Sequence, residues 1–483
     1  MRVLLLGCLF LSVSACAQVR DEVPSGEVVG ELGAALDAYL ATQVEGGFSG
    51  AVLAVSDGEI VLRKGYGFAD REAGLPNTPE TVFQIGSVTK PLTATLVLSL
   101  HDSGQLDVTD RLSDHISGVP ADKADITLHH LLTHTAGFPA AIGDDFEPIG
   151  RDDYIREALA TPLDRPPGAG YAYSNVGYAL LAAVIERITG QSYDSALQGL
   201  LRPVGLAHTG YRIDGGTVAH GYDGDRDLGL PTDRPWSDEG PYWNLLGNGG
   251  LLSTIDDLYR FHTTLEGGEI LSDATRQLAI TKHTDEGPNS GSHYGYGWAL
   301  FPAPGGLLVA HNGGDGGWSA DMLRFVDDDK VLIVLSNSMD VEAFQVSQPL
   351  AQILFGQTPA PLRQPEMQTI PLDELADRPG GARVLAFVET VNTQSEAAVR
   401  AFTEAHLDAG FRRQPDGVVR FFNAVAEEVG HAPITLQSVQ WDPREGTYIG
   451  RAELADGRGY ILEIGVQPGG EAFIEGMRTD YAD

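Results

Sequence analysis

Gly86-Ser87-Val88-Thr89-Lys90-Pro91 leads into an apolar run in which Leu92, Leu96 and Leu100 recur at helical spacing. Proline is tolerated only near the start of a helix, so Pro91 pins that start close to Ser87. Ser87 and Lys90 then stand three residues apart on one face, where the amine can approach the hydroxyl. The free N–H groups of a helix start favour an oxyanion developing at the same place. By itself the stretch reads equally well as an N-cap serine followed by a solvated lysine. The chain has only five lysines, and Lys90 is the one that runs directly into a long apolar helix.

Two later stretches bear on that choice. Serine is a poor nucleophile until its proton is taken, and a lysine takes it only with a pKa lowered by burial or a neighbouring cation. Tyr171-Ala172-Tyr173-Ser174-Asn175 precedes a second helical stripe, Leu180, Val184, Ile185 and Ile188. A phenol near an ammonium can serve as general base or acid, and an Asn can hold a carbonyl, although both are also common in turns. In Val309-Ala310-His311-Asn312-Gly313-Gly314-Asp315-Gly316-Gly317-Trp318 a strand runs into glycines that let a substrate approach the backbone. A backbone N–H near Gly314 would complete an oxyanion site with that of Ser87; the plainer reading is a glycine-rich loop with a partly exposed histidine.

Around these stretches the pattern alternates between strand and helix. Residues 31–44 carry Leu32, Leu36, Tyr39 and Leu40 at helical spacing, and Ser56-Asp57-Gly58 separates two apolar runs as a β-hairpin turn. Residues 87–207 read mainly as helices, and 221–244 as a long surface excursion. Strand signals resume at 294–300, 306–310, 321–326 and 330–335, followed by a helix over 344–355. Strands at both ends with helices between predict an α+β domain whose sheet is completed by its C-terminal strands. The proline-containing stretch 357–379 reads as a linker. Residues 380–483 read as a small α+β accessory domain, helical over 382–410 and strand-rich over 435–475, with a turn at 455–458.

Composition sets outer bounds. With 67 Asp+Glu against 32 Lys+Arg the net charge is −35, which repels nucleic-acid phosphates and anionic lipid, so nucleic acid is not expected as a partner. Residues 1–19 read as a signal peptide, with Arg2, an apolar run and small residues, too short to span a bilayer. Val13-Ser14-Ala15-Cys16 resembles a lipoprotein signal with Cys16 as the lipidated residue; ordinary secretory cleavage is the alternative. Either predicts export, to the periplasm or the outer membrane. The two cysteines, Cys8 and Cys16, both lie in this segment, leaving none for a mature disulfide or cysteine metal cluster.

Together the motifs resemble the serine β-lactamase and penicillin-recognising superfamily, in its class C-related branch of β-lactamases, esterases, D-aminopeptidases and D-Ala-D-Ala carboxypeptidases. The resemblance covers roughly residues 30–355 and includes His129-His130-Leu131-Leu132-Thr133-His134-Thr135-Ala136-Gly137-Phe138, Gly249 to Leu258, and Tyr294-Gly295-Tyr296-Gly297-Trp298. It implies a β-lactamase-like antiparallel sheet flanked by helices, with a mainly helical subdomain, over 20–356. It further implies an acyl-enzyme on Ser87, proton transfers shared by Lys90 and Tyr173, substrate contacts from Asn175, His311 and Gly313, and an oxyanion N–H from Gly314. No metal or organic cofactor is required, and His129, His130 and His134 read as packing or hydrogen-bonding residues. The expected partner is a small ester, amide or peptide, of cell-wall origin in one reading. His311 stands where β-lactamases carry a lysine, and a neutral imidazole holds a carboxylate less strongly than an ammonium. That favours an esterase or D-amino-acid peptidase; a true β-lactamase and a non-catalytic ligand sensor are the alternatives.

Overall fold

The computed structural model describes residues 26–213, 215–236, 240–287, 290–359, 368–378, 380–407, 415–429, 433–442, 447–454, 459–466 and 474–482. The expected signal segment with Cys16 and the expected turn at 455–458 lie outside the described residues. The chain divides into two compact units, Met1–Pro359 and Ala360–Asp483.

In the first unit nine strands form one antiparallel sheet: β1 (Glu27–Val28), β2 (Gly50–Ser56), β3 (Glu59–Tyr66), β4 (Thr284–Asp285), β5 (His293–Tyr294), β6 (Ala299–Ala303), β7 (Gly306–Asp315), β8 (Trp318–Phe325) and β9 (Lys330–Ser336). Their order is β1-β3-β2-β9-β8-β7-β6-β5-β4, so the N-terminal hairpin docks beside the last strand, with Ala51 opposite Leu335. The hairpin turns at Asp57 and Gly58, with φ of 54° and 77°. Left-handed conformation at both central residues matches the twist of the flanking strands.

Side chains alternate across the sheet with period two. Val52, Ala54, Leu332 and Val334 pack with Leu36 and Leu40 of α1 (Gly30–Glu45) and Val346 and Leu350 of α4 (Ala343–Leu354). Ala51, Leu53, Ile333 and Leu335 face the other way, onto the core of the helical region. That core includes Leu92 and Leu96 of α2 (Thr89–Asp102) and Leu180 and Val184 of α3 (Asn175–Thr189). Each such fully buried leucine contributes about 1.5–3 kcal/mol, so the sheet is clamped from both faces.

Three stretches differ from the sequence expectation. Residues 294–300 are not one strand: Gly297, at φ 77°, turns the chain, and a Cβ there would meet the Lys90 carbonyl oxygen at 3.0 Å. The backbone thus crosses the first turn of α2 at a distance only glycine allows. Gly313 and Gly314 are not in a loop, because β7 continues through Asp315, paired residue by residue with β8, and only Gly316 and Gly317 form the turn between the two strands. The excursion 221–244 contains a small hairpin, Tyr222–Asp223 with Arg226–Asp227, and a single helical turn at Pro231–Asp233.

The second unit holds α5 (Gly381–Thr393), α6 (Glu396–His406) and α7 (Pro415–Glu428). Its antiparallel meander runs β10 (Gln368–Ile370), β11 (Ile434–Asp442), β12 (Thr447–Leu454), β13 (Gly459–Val466), β14 (Ile474–Ala482). The helical expectation over 382–410 resolves into α5 and α6, which break at Gln394, a residue at φ 49°. The linker expectation over 357–379 is corrected for its second half. Residues 368–370 pair with β11, and Ile370 and Leu375 are buried in this unit's core. Proline removes one backbone donor and fixes φ, but it does not stop the apolar residues around it from sealing a sheet edge.

Candidate active site

The serine is held by a short ladder. Phe83–Gln84 pairs with Leu252–Ser253, and the Ile85 N–H donates to the Leu251 carbonyl at 2.8 Å. Gly86, at φ 47°, starts one tight turn, Gly86–Val88, that runs directly into α2. From residue 81 to 98 Ser87 is the single position that is not buried. No side chain caps either helical segment, so Ser87 is not spent as an N-cap. Lys90 is not solvated either: it is 0% exposed, and its Nζ donates to Ser87 Oγ at 3.0 Å and to the Asn248 carbonyl at 2.8 Å. The structural alternative left open by the motif alone is therefore excluded on both halves.

Burial drives the Lys90 pKa well below its ordinary value, opposed weakly by Asp145. Its Nζ lies 4.7 Å from the ring centre of Tyr173 and 5.7 Å from that of Tyr178. The Tyr173 hydroxyl bonds to Ser87, and burial raises its pKa, partly offset by that bond. Desolvation penalises whichever form is charged, so it disfavours both the Lys90 ammonium and the Tyr173 phenolate. Both side chains touch one serine oxygen, so its proton can reach the amine directly or by way of the phenol hydroxyl.

The strand β7 closes against this turn. A Cβ on Gly313 would sit 2.2 Å from the Ile85 oxygen and 2.5 Å from the Ser87 nitrogen, and one on Gly86 would sit 2.5 Å from the Gly314 nitrogen. Backbone meets backbone here because neither side carries a side chain. The Ser87 N–H has no acceptor among the described residues. It is available, beside Gly314, to a negative oxygen. Asn175 opens α3, its N–H bonded to the Ala140 carbonyl at 2.8 Å, while its buried Oδ1 has no partner among the described residues.

His311 behaves differently from the expectation of a substrate contact. It is buried, with Nδ1 2.6 Å from the Asn312 carbonyl and Nε2 3.0 Å from the Tyr294 hydroxyl. Burial and the Lys90 amine push its pKa down to about 3. A carbonyl only accepts, so Nδ1 carries the proton and Nε2 is the acceptor. His134 is its counterpart across Tyr294. Its Nδ1 accepts from the Ser174 N–H at 3.1 Å, so its Nε2, 3.3 Å from Tyr294 Oη, carries the proton.

The structure brings Ser87, Lys90, Tyr173, Gly313 and Gly314 together and sets His311 behind them. His134 has the hydrogen-bonding and packing role expected of it, beside Tyr173 and Tyr294, whereas Tyr294 and Asn248 were missed. Tyr294 lies in a stretch that carried the resemblance, so a signal existed. Asn248 contributes only a carbonyl, which no residue pattern reveals.

Comparison with known proteins places the fold in a family. The Beta-lactamase family model matches residues 35–356. Penicillin-binding protein 4 of Amycolatopsis lactamdurans is 30% identical over 371 residues, covering 69% of this chain and 94% of that protein. Esterase EstB of Burkholderia gladioli is 35% identical over 184 residues, 34% of this chain and 47% of the esterase. Among solved structures, the octameric penicillin-binding protein homologue from Pyrococcus abyssi superposes with a TM-score of 0.60 at 22% identity, over 93% of this chain and 95% of its own. With the family model spanning most of its length and the fold shared, this chain belongs to the Beta-lactamase family.

Proposed function

We propose that the protein is a serine hydrolase that cleaves an ester or amide through an acyl-enzyme on Ser87. The observation that carries this is the fully buried Lys90 amine 3.0 Å from a Ser87 hydroxyl at the only opening in a buried stretch. Ser87 Oγ attacks the carbonyl as its proton passes to the Lys90 amine, either directly or by a relay in which the Tyr173 hydroxyl takes it while giving its own proton to Lys90. The tetrahedral oxygen is met by the N–H groups of Ser87 and Gly314, and Asn175 Oδ1 accepts from a substrate amide. The leaving group takes the proton, and water then hydrolyses the acyl-enzyme by the reverse relay. A relative named an esterase and one named a penicillin-binding protein support an ester or amide as the substrate.

The test is a fluorophosphonate probe followed by mass spectrometry of the intact protein. One adduct on the wild type and none on Ser87→Ala is expected; equal labelling of the variant removes Ser87 from the role. We further propose export with lipidation at Cys16, supported by the composition of residues 1–19, and checked by mass spectrometry of the N-terminus of protein recovered from cells.

A further inference from the structure

The far end of the excursion 221–244 takes no part in the catalytic geometry, yet it walls a second cavity. Tyr242 and Trp243 line it together with residues 148–150 and the start of the helix Tyr193–Leu201, around about 1070 Å³. Ligand pockets run to roughly 300–1,000 Å³, so there is room for more than one ring. Trp243 is fixed in place: its backbone N–H donates to the Ile149 carbonyl at 3.4 Å, and its ring lies 6.4 Å from that of the buried Tyr154. The cavity backs onto the catalytic core. Tyr193 in its wall meets Thr93 Oγ1 at 2.6 Å, one turn beyond Lys90, and the chain runs on from Trp243 to Asn248, whose carbonyl holds the Lys90 amine.

The charges of the lining cancel. Arg151 is paired with Glu186 at 3.1 Å, and Arg212 is close enough to Asp194 to act on its charge. No surplus of either sign is left to hold a phosphate, a carboxylate or an ammonium. Polar atoms are nevertheless left over. Asp194 Oδ1 is buried without a partner, and the Tyr242 hydroxyl, the Trp243 indole N–H and the Gln191 side-chain amide have none among the described residues. A buried carboxylate oxygen with no donor is uncommon in a folded protein and asks for one. The molecule that satisfies these atoms donates to a carboxylate, accepts from an indole N–H and carries no net charge. A hydroxyl does both. The aromatic faces, negative at their centres, attract C–H groups. A pyranose ring joins the two properties, with C–H groups on its face and hydroxyls around its edge.

We infer that this cavity binds an uncharged glycan, with a pyranose ring stacked on Trp243 and its hydroxyls bonded to Asp194 Oδ1 and Gln191. The site is distinct from that of Ser87 and stands independently of the hydrolase reading.

The experiment is calorimetric titration of the full chain with cellotetraose, chitotetraose and, as a charged control, tetragalacturonate. At least one neutral oligosaccharide should bind with a Kd of about 1 mM or tighter, and tetragalacturonate about tenfold more weakly or not at all. Trp243→Ala removes the stacking face and should weaken the neutral ligand about tenfold. Gln191→Ala lies at an exposed position where folding is not at stake. It should weaken binding about threefold while leaving turnover of p-nitrophenyl acetate as in the wild type. Absence of binding by both neutral oligosaccharides up to roughly 10 mM overturns the inference, as does tetragalacturonate binding as tightly as they do. So does an affinity unchanged in folded Trp243→Ala or, where that variant does not fold, in Gln191→Ala.

Discussion

Replacing Lys90 by methionine separates its chemical role from its packing role. Methionine follows the same path as the lysine stem, so the buried volume is nearly kept. Two interactions go: the contact with Ser87 Oγ at 3.0 Å and that with the Asn248 carbonyl at 2.8 Å. Leaving a buried carbonyl without a donor costs about 1–3 kcal/mol. Removing a positioned proton acceptor costs roughly 10²–10⁴ in rate. The variant should therefore remain folded, with kcat for p-nitrophenyl acetate down at least a hundredfold. Proton linkage gives a second readout. The folded pKa of Lys90 lies well below its ordinary value, so the unfolded chain binds the extra proton. Wild-type stability accordingly rises with pH from the folded pKa up to about 10.4, the unfolded value, and the methionine variant lacks that rise. Urea unfolding of both proteins from pH 6 to 10 should show the wild type gaining on the variant as pH climbs. In the wild type, kcat/KM should also rise with pH as Lys90 loses its proton. A folded Lys90→Met that keeps more than a tenth of wild-type kcat would refute the assignment of Lys90 as proton acceptor.

Gly313→Ala places a methyl 2.2 Å from the Ile85 oxygen and 2.5 Å from the Ser87 nitrogen; it should cost about 1–3 kcal/mol and lower kcat at least tenfold, measured by urea unfolding and ester turnover. Asp321 is buried against Ser347, which donates to it, and burial lifts its pKa to about 7. The unfolded chain therefore releases this proton at lower pH than the folded one, and wild-type stability falls as pH rises from about 4 to 7. Asp321→Asn should lack this loss, gaining about 4 kcal/mol on the wild type between pH 4 and 8 in parallel unfolding curves. Arg324 is 2% exposed and bonds Glu266 and His262 Nδ1. Glu266→Ala strands its charge and should cost about 3 kcal/mol by urea unfolding, with kcat of the remaining folded protein unchanged.

The reach of the sequence follows from what its signals encode. The continuous apolar runs within residues 50–56 and 330–336 and the Asp57-Gly58 turn are local signals, and the strands and hairpin formed where they were read. Ser87 and Lys90 are coupled by a single helical turn, so their proximity was legible too. Tyr173, Gly313 and Gly314 were recognisable as elements of chemistry, but nothing local brings them to Ser87. That was decided by the sheet register, which lays β7 against the Gly86–Val88 turn, and by the start of α3 behind Tyr173.

Electrostatics was the least legible layer, because desolvation is a property of the assembled core. Lys90 was one lysine of five until the fold buried it completely. His311 was an expected substrate contact until Tyr294 and the Asn312 carbonyl took both its nitrogens. The sequence by itself thus determined the local elements and the candidates for the reacting groups, which short-range patterns mark. Only the tertiary structure decided their burial, the direction of their pKa shifts and their hydrogen-bond partners, because these depend on what long-range packing removes from water.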